Sequence, residues 1–238
     1  MNWQTNGFDD WETLSRGAAE EMAKLAAAVS ARGRFDWVLS GGHTPRRMYE
    51  ILSTDYREKI DWNRTHLFWS DERYVPPDDP LSNFRMAQQA LIVPLAIPEA
   101  NVHPMPTYFE DPGDAARAYE KVLRAHWGAE DPAFDLCMLG IGLEGHTASL
   151  FPGSPALEEK QRWVVPVRVA ATPPLRLTFT FPALDASREV FFLVSGAEKR
   201  EIVRKLLALP PGEASCYPAA QVRPRGRTVL FLDRPAQP

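Results

Sequence analysis

The sequence predicts an α/β fold with a mostly parallel sheet, and three observations carry that reading. Helical and strand signals alternate along the whole chain. Segments such as 134–139, Phe-Asp-Leu-Cys-Met-Leu, are mostly apolar, as strands covered on both faces require. The 22 prolines are spread through the connections, so they mark loops and not a hinge. With 238 residues, 45% of them hydrophobic, the chain can bury roughly 70% of its unfolded surface. It needs no metal or disulfide to fold, and a single domain over 1–238 is expected.

The elements follow in order. Asp10 is placed to cap a helix over 10–31, where Leu14, Ala18, Met22, Leu25 and Val29 form an apolar stripe. Residues 35–39 read as a strand and 45–52 as a helix with proline in its first turn. A strand over 66–69 and a helix over 83–91 come next. A proline-rich stretch over 94–112 reads as surface connection, and 115–127 as a helix. Strands are expected over 134–139, 163–167, 175–180, 189–194 and 228–232, with a helix over 197–207.

Charge and composition exclude several classes. The net charge of −4 provides no domain-wide basic field for nucleic acid, although a local cluster can still hold a small anion. Cys137 and Cys216 form no CxxC pair and read as a buried strand thiol and a loop thiol. The N-terminus has no basic and apolar regions of a signal peptide, and no apolar run approaches ~20 residues. A soluble cytoplasmic protein without membrane contact is expected.

Three unusual segments follow predicted strands, where ligands bind in open α/β sheets. The first is Ser40-Gly41-Gly42-His43-Thr44-Pro45. Its glycines Gly41 and Gly42 let backbone N–H groups approach an anion, Thr44 can cap the helix or offer its hydroxyl, and the helix start adds positive charge. It also reads as a plain turn, and it is no Walker loop, since no Gly-Lys-Ser/Thr follows. The second is Ser70-Asp71-Glu72-Arg73-Tyr74-Val75-Pro76, with Ser82-Asn83 beyond it. Three adjacent charges after an apolar strand face a cleft, pair together, or form a solvated turn. Arg73 can clamp a phosphate or carboxylate, while Asp71 and Glu72 can orient it or bind sugar hydroxyls.

The third segment, residues 140–153, is dense in glycine and centres on Glu144-Gly145-His146. A neutral histidine suits general-base work near physiological pH, and Glu144 or a carboxylate from another loop can fix its tautomer. His43 can contact a phosphate or be a loop residue. His66, His103 and His126 have no carboxylate or histidine at ligand spacing and read as structural. No HExxH or Cys/His cluster suggests a metal, and no GxSxG elbow suggests a serine hydrolase. The Gly140-x-Gly142-x-x-Gly145 match to a dinucleotide fingerprint is weak, because His146 and Pro152 cut into the helix that it needs.

Together these segments resemble the 6-phosphogluconolactonase family, within the glucosamine/galactosamine-6-phosphate isomerase superfamily. The resemblance continues through residues 173–178, 196–199 and 218–220, and so spans nearly the whole chain in order. This chain departs from the family pattern at His43, where serine is usual, and at Glu144, where aspartate is usual. The resemblance implies a three-layer α/β/α domain with a Rossmann-like sheet, no required cofactor and no metal. It implies hydrolysis of 6-phospho-D-glucono-1,5-lactone by a monomer or weak homodimer acting on a small phosphorylated sugar lactone. His146 would activate water, with Arg73, Asp71 and Glu144 beside it. The substrate would fall to Gly41, Gly42, Thr44, Glu72, Gly145, Arg176 and Lys199, with the phosphate on Gly42, Thr44, Lys199 and Arg176.

Two other readings stay open. A glucosamine-6-phosphate deaminase would need a second acid soon after the histidine, whereas residues 146–152 contain none before Glu158. A non-catalytic sugar-phosphate sensor would keep Thr44 and Lys199 and could dispense with His146.

Overall fold

The computed structural model describes residues 3–31, 33–128, 132–210 and 216–238. Its centre is a six-stranded sheet, with strands β1 (Trp3–Phe8), β2 (Phe35–Leu39), β3 (Thr65–Trp69), β5 (Leu136–Leu139), β8 (Glu189–Val194) and β9 (Thr228–Asp233) in the order β1-β9-β8-β5-β2-β3. All five pairings are parallel. Every residue of β2, β5 and β9 is buried, which explains their near-continuous apolar character. One hydrophobic cluster runs from Leu14 to Ala236 and takes in side chains from both sheets.

Three strands form a separate antiparallel sheet in the order β4-β7-β6, comprising β4 (Asp71–Arg73), β7 (Leu175–Phe179) and β6 (Val164–Arg168). The segments expected over 163–167 and 175–180 therefore lie outside the parallel sheet. In β6 a half-buried proline, Pro166, sits among apolar residues, and period alone does not say which sheet such a strand joins.

Helix α1 (Trp11–Ser30) starts where expected, with a capping box in which Asp10 accepts from the Thr13 N–H and the Thr13 hydroxyl reaches back. Helix α2 (His43–Asp55) begins two residues earlier than predicted. Gly42 is its N-cap at φ 110°, and no side chain caps it, so Thr44 does not serve as the cap. Pro45 is tolerated because first-turn N–H groups have no intrahelical partner.

Helix α3 (Asn83–Ala87) runs into a π-helical turn at Gln88–Ile92 and the single turn α4 (Val93–Leu95). Helix α5 (Pro112–Trp127) is capped by Asp111. The short α6 (Phe181–Asp185), absent from the sequence reading, and α7 (Arg200–Leu207), preceded by a 3-10 turn at Ala197–Lys199, complete the flanking layers.

Two further expectations are corrected. β1 was not anticipated, because its sequence is half polar, as suits an edge strand exposed on one side. The stretch 94–112 is more than connection: the His103 N–H donates to Leu67 O at 2.9 Å and Val102 bridges Leu67, so this segment covers the β3 edge. Cys137 is buried in β5 and Cys216 is exposed, both as free thiols.

Candidate active site

The sheet changes direction between β2 and β5: β3 lies beyond β2 on one side, and β8, β9 and β1 beyond β5 on the other. Open α/β sheets offer a crevice at the carboxyl ends of the strands at such a switch point. The loops after β2 and β5 meet there with β4, β7 and the turn after β8. They form a cleft of ≈ 280 Å³ lined by Ser40, Gly41, Gly42, Asp71, Arg73, Asn83, residues 140–142, His146, Ala148, Arg176 and Lys199.

His146 is held by its own loop. The Gly142 N–H donates to His146 O at 2.9 Å, the Gly145 N–H to Gly142 O at 2.9 Å, and the Thr147 hydroxyl to Gly140 O at 2.9 Å. The imidazole stacks on Phe151 with centroids 4.0 Å apart. Its Nδ1 is buried without a hydrogen-bond partner. Glu144 Oε2 stands 3.2 Å from that nitrogen, close enough for charge attraction but out of line for a hydrogen bond. Burial pushes the His146 imidazole below its usual value, against the upward pull of Glu144. Burial raises the Glu144 carboxyl, but its own backbone N–H and the His146 ring outweigh this and hold it below the usual range.

Asp71 is tied to the same loop. The Ser149 hydroxyl donates to Asp71 Oδ2 at 2.6 Å, and the Ser149 N–H donates to Thr178 Oγ1 on the facing strand. Asn83 Nδ2 donates to Asp71 O at 2.9 Å. Asn83 is a cleft residue that the sequence reading does not place in the site, although it stands in the Ser82-Asn83 pair that follows the charged segment. Gly41 is required beside it, since a Cβ there would fall 1.9 Å from Asn83 Oδ1.

Three cations face the cleft. Arg73 on β4 lies directly opposite Arg176 on β7 in the antiparallel register. Like charges so placed repel, and a bound anion between or beside them relieves the repulsion. Arg73 donates from Nη1 to Leu81 O, and its Nε is buried without a partner. Arg176 donates to Pro173 O, and burial lowers its pKa while Asp71 opposes that. Lys199 reaches across from the turn after β8 and donates to Ile141 O at 2.8 Å. An acidic chain thus concentrates positive charge at one concave place, adjoining the positive end of α2.

Not every expected residue lines the cleft. Glu72 points away: it accepts from the backbone N–H groups of Arg73, Asn83 and Phe84 and from the Ser82 hydroxyl, and so caps α3. Burial pushes its carboxyl up to about 7, opposed by those N–H groups. It borders a different, mostly apolar cavity with Met105 and Tyr108. Gly145, at φ +83°, is closed in by Tyr217, and its carbonyl accepts from the Ala219 N–H. Thr44 sits half-buried in the first turn of α2 and is not among the residues that line the cleft. The His43 ring packs at a tilt against Trp11 of α1, with centroids 4.9 Å apart.

The family model for glucosamine-6-phosphate isomerases/6-phosphogluconolactonase matches residues 9–231. This chain belongs to that family. A 6-phosphogluconolactonase of Synechocystis sp. is 43% identical over 226 residues, covering 94% of this chain and 92% of that one. One of Mycobacterium tuberculosis is 42% identical over 237 residues, covering 96% and 95%. The crystal structure of the 6-phosphogluconolactonase of Thermotoga maritima superposes with a TM-score of 0.85 at 33% identity, covering 98% of this chain and 100% of that one. A monomeric glucosamine-6-phosphate deaminase superposes with a TM-score of 0.81 at 22% identity, a likeness of fold alone.

Proposed function

We propose that this member of the family hydrolyses 6-phospho-D-glucono-1,5-lactone to 6-phospho-D-gluconate, with His146 as the general base. The observation that carries this reading is the cleft itself: a neutral-leaning imidazole shares one small concave space with Arg73, Arg176, Lys199 and the glycine loop at Gly41-Gly42. Relatives over 40% identical along nearly the whole chain carry the name 6-phosphogluconolactonase, which supports the choice of substrate.

In this mechanism Nδ1 of His146 is buried, which leaves Nε2 to meet a water molecule. The imidazole takes a proton as the water oxygen attacks the lactone carbonyl carbon. The carbonyl electrons move to oxygen, and the guanidinium of Arg73 stabilises that charge. The tetrahedral centre then collapses, the bond to the ring oxygen breaks, and the imidazolium returns its proton to that oxygen. The acid product ionises and releases a proton to solvent. General-base assistance of this kind contributes ~10²–10⁴-fold, enough for an already reactive ester.

The 6-phosphate falls to Lys199 and Arg176, with the Gly41-Gly42 backbone and the start of α2 adding positive potential. Asp71, fixed by Ser149 and Asn83, balances the cations and meets sugar hydroxyls. No helix among the described residues is long and apolar enough to cross a membrane, and work in the cytoplasm as a monomer or weak dimer, needing no metal for the reaction, completes the reading.

Product analysis tests it. Purified protein given the phosphorylated lactone should release one proton per lactone above the spontaneous rate and should release no ammonia from glucosamine 6-phosphate. Ammonia without acid release would make the chain a deaminase; tight binding of 6-phosphogluconate with spontaneous-rate hydrolysis would make it a sensor.

A further inference from the structure

The three histidines read from sequence as separate structural residues come together at the β3 edge of the sheet, by the amino-terminal end of that strand, whereas the cleft lies beyond the carboxyl ends of β2 and β5. His66 lies near the start of β3, His103 on the segment covering the β3 edge, and His126 at the end of α5. One ring nitrogen from each lies within 4.8 Å of the other two. Sequence spacing hid this: 37 residues separate the first pair, and three different elements carry the rings.

The geometry has the form of a transition-metal site. His66 Nδ1 and His103 Nε2 share a hydrogen bond at 3.2 Å, whose proton a bound metal ion would displace. Two nitrogens bound to one tetrahedral zinc at ~2.0–2.1 Å stand about 3.3 Å apart, so this pair is already at chelating distance. The third nitrogen lies within 4.8 Å of both, so a shift of its ring by no more than roughly 1.5 Å would bring it to the same separation. His126 Nε2 is paired with Asp36 Oδ1 at 2.8 Å. A carboxylate that accepts the proton of one imidazole nitrogen leaves the lone pair on the other, and this is the outer-shell arrangement found behind metal-bound histidines. Asp36 is itself fixed, by Arg34 at 3.0 Å. The His126 side chain is buried, while His66 and His103 are half-buried, so water would reach a fourth ligand position from their side.

We infer that His66, His103 and His126 bind one zinc-class divalent ion, with Asp36 as the positioning residue for His126. Three imidazoles suit zinc, copper or nickel over calcium or magnesium. The ion would staple the segment over the β3 edge and the end of α5 to the sheet. The site is structural, remote from His146 and independent of the lactonase reading.

Titration of chelator-treated protein with Co²⁺, followed by visible absorption, and with Zn²⁺, followed by calorimetry and melting temperature, tests this. Wild type should take up one equivalent, with the intense visible bands of tetrahedral cobalt and a melting temperature that rises with Zn²⁺. His103→Ala and His126→Ala, each still melting cooperatively, should lose both, and if one fails to fold the other decides. Asp36→Asn should bind ~10–100-fold more weakly. His146→Ala should bind like wild type. No uptake by wild type overturns the inference. So does uptake that survives His103→Ala and His126→Ala, and so does uptake lost only with His146→Ala, which would assign the ion to the cleft.

Discussion

An ideal Cβ on Gly142 would lie 2.0 Å from Nδ1 of His146. The imidazole occupies the space that any other residue at 142 would need, and the same glycine donates its N–H to the His146 carbonyl. Gly142 therefore positions the imidazole as much as it shapes a turn.

Gly142→Ala should leave the fold intact and displace the ring. Misplacing a catalytic group by about 1 Å costs on the order of 10²-fold, so kcat for lactone hydrolysis should fall by about that factor. Unchanged kcat would mean that the ring works from another position.

The pH profile follows from the environment of His146. Burial holds its pKa below the ordinary 6.5. The base form therefore dominates at neutral pH, and kcat/KM should fall only on the acid side, with its limb below 6.5. Glu144 favours the protonated ring, so Glu144→Gln should move the acid limb lower still. An acid limb that moves upward in this variant, or does not move, would remove Glu144 from the base's environment.

Lys199→Ala should raise KM for the phosphorylated lactone by ~10–100-fold, the range of a charge-assisted hydrogen bond worth about 1.5–3 kcal/mol. Hydrolysis of unphosphorylated gluconolactone should change little. Equal loss on both substrates would take the phosphate away from Lys199.

Glu72→Gln should destabilise the fold by ~1–3 kcal/mol in chemical denaturation, because an amide NH₂ would face N–H or hydroxyl donors that now point at a carboxylate. A variant as stable as wild type would show that α3 does not depend on this cap.

The parallel sheet was legible because its central strands are apolar runs of β length, and Asp10 ahead of an apolar stripe announced α1. Two strands of the antiparallel sheet were legible as strands but their membership of a second sheet was not, since Asp71-Glu72-Arg73 has no strand pattern and becomes a strand only by pairing with Leu175–Phe179. For the cleft, the residue types of the three loops identified Asp71, Arg73, His146 and the glycines. They could not say that Glu72 turns inward to cap a helix while its two neighbours face the cleft, because adjacent strand residues point to opposite sides and the register was unknown. The histidine cluster was illegible for a related reason: its members meet only through tertiary contact.

Steady-state proton release from 6-phospho-D-glucono-1,5-lactone by His146→Ala, corrected for spontaneous hydrolysis, bears most directly on the assignment of this ring as the base. Turnover should drop ~10²-fold or more while the melting curve and 6-phosphogluconate affinity stay near wild type. Wild-type turnover in that variant would contradict it.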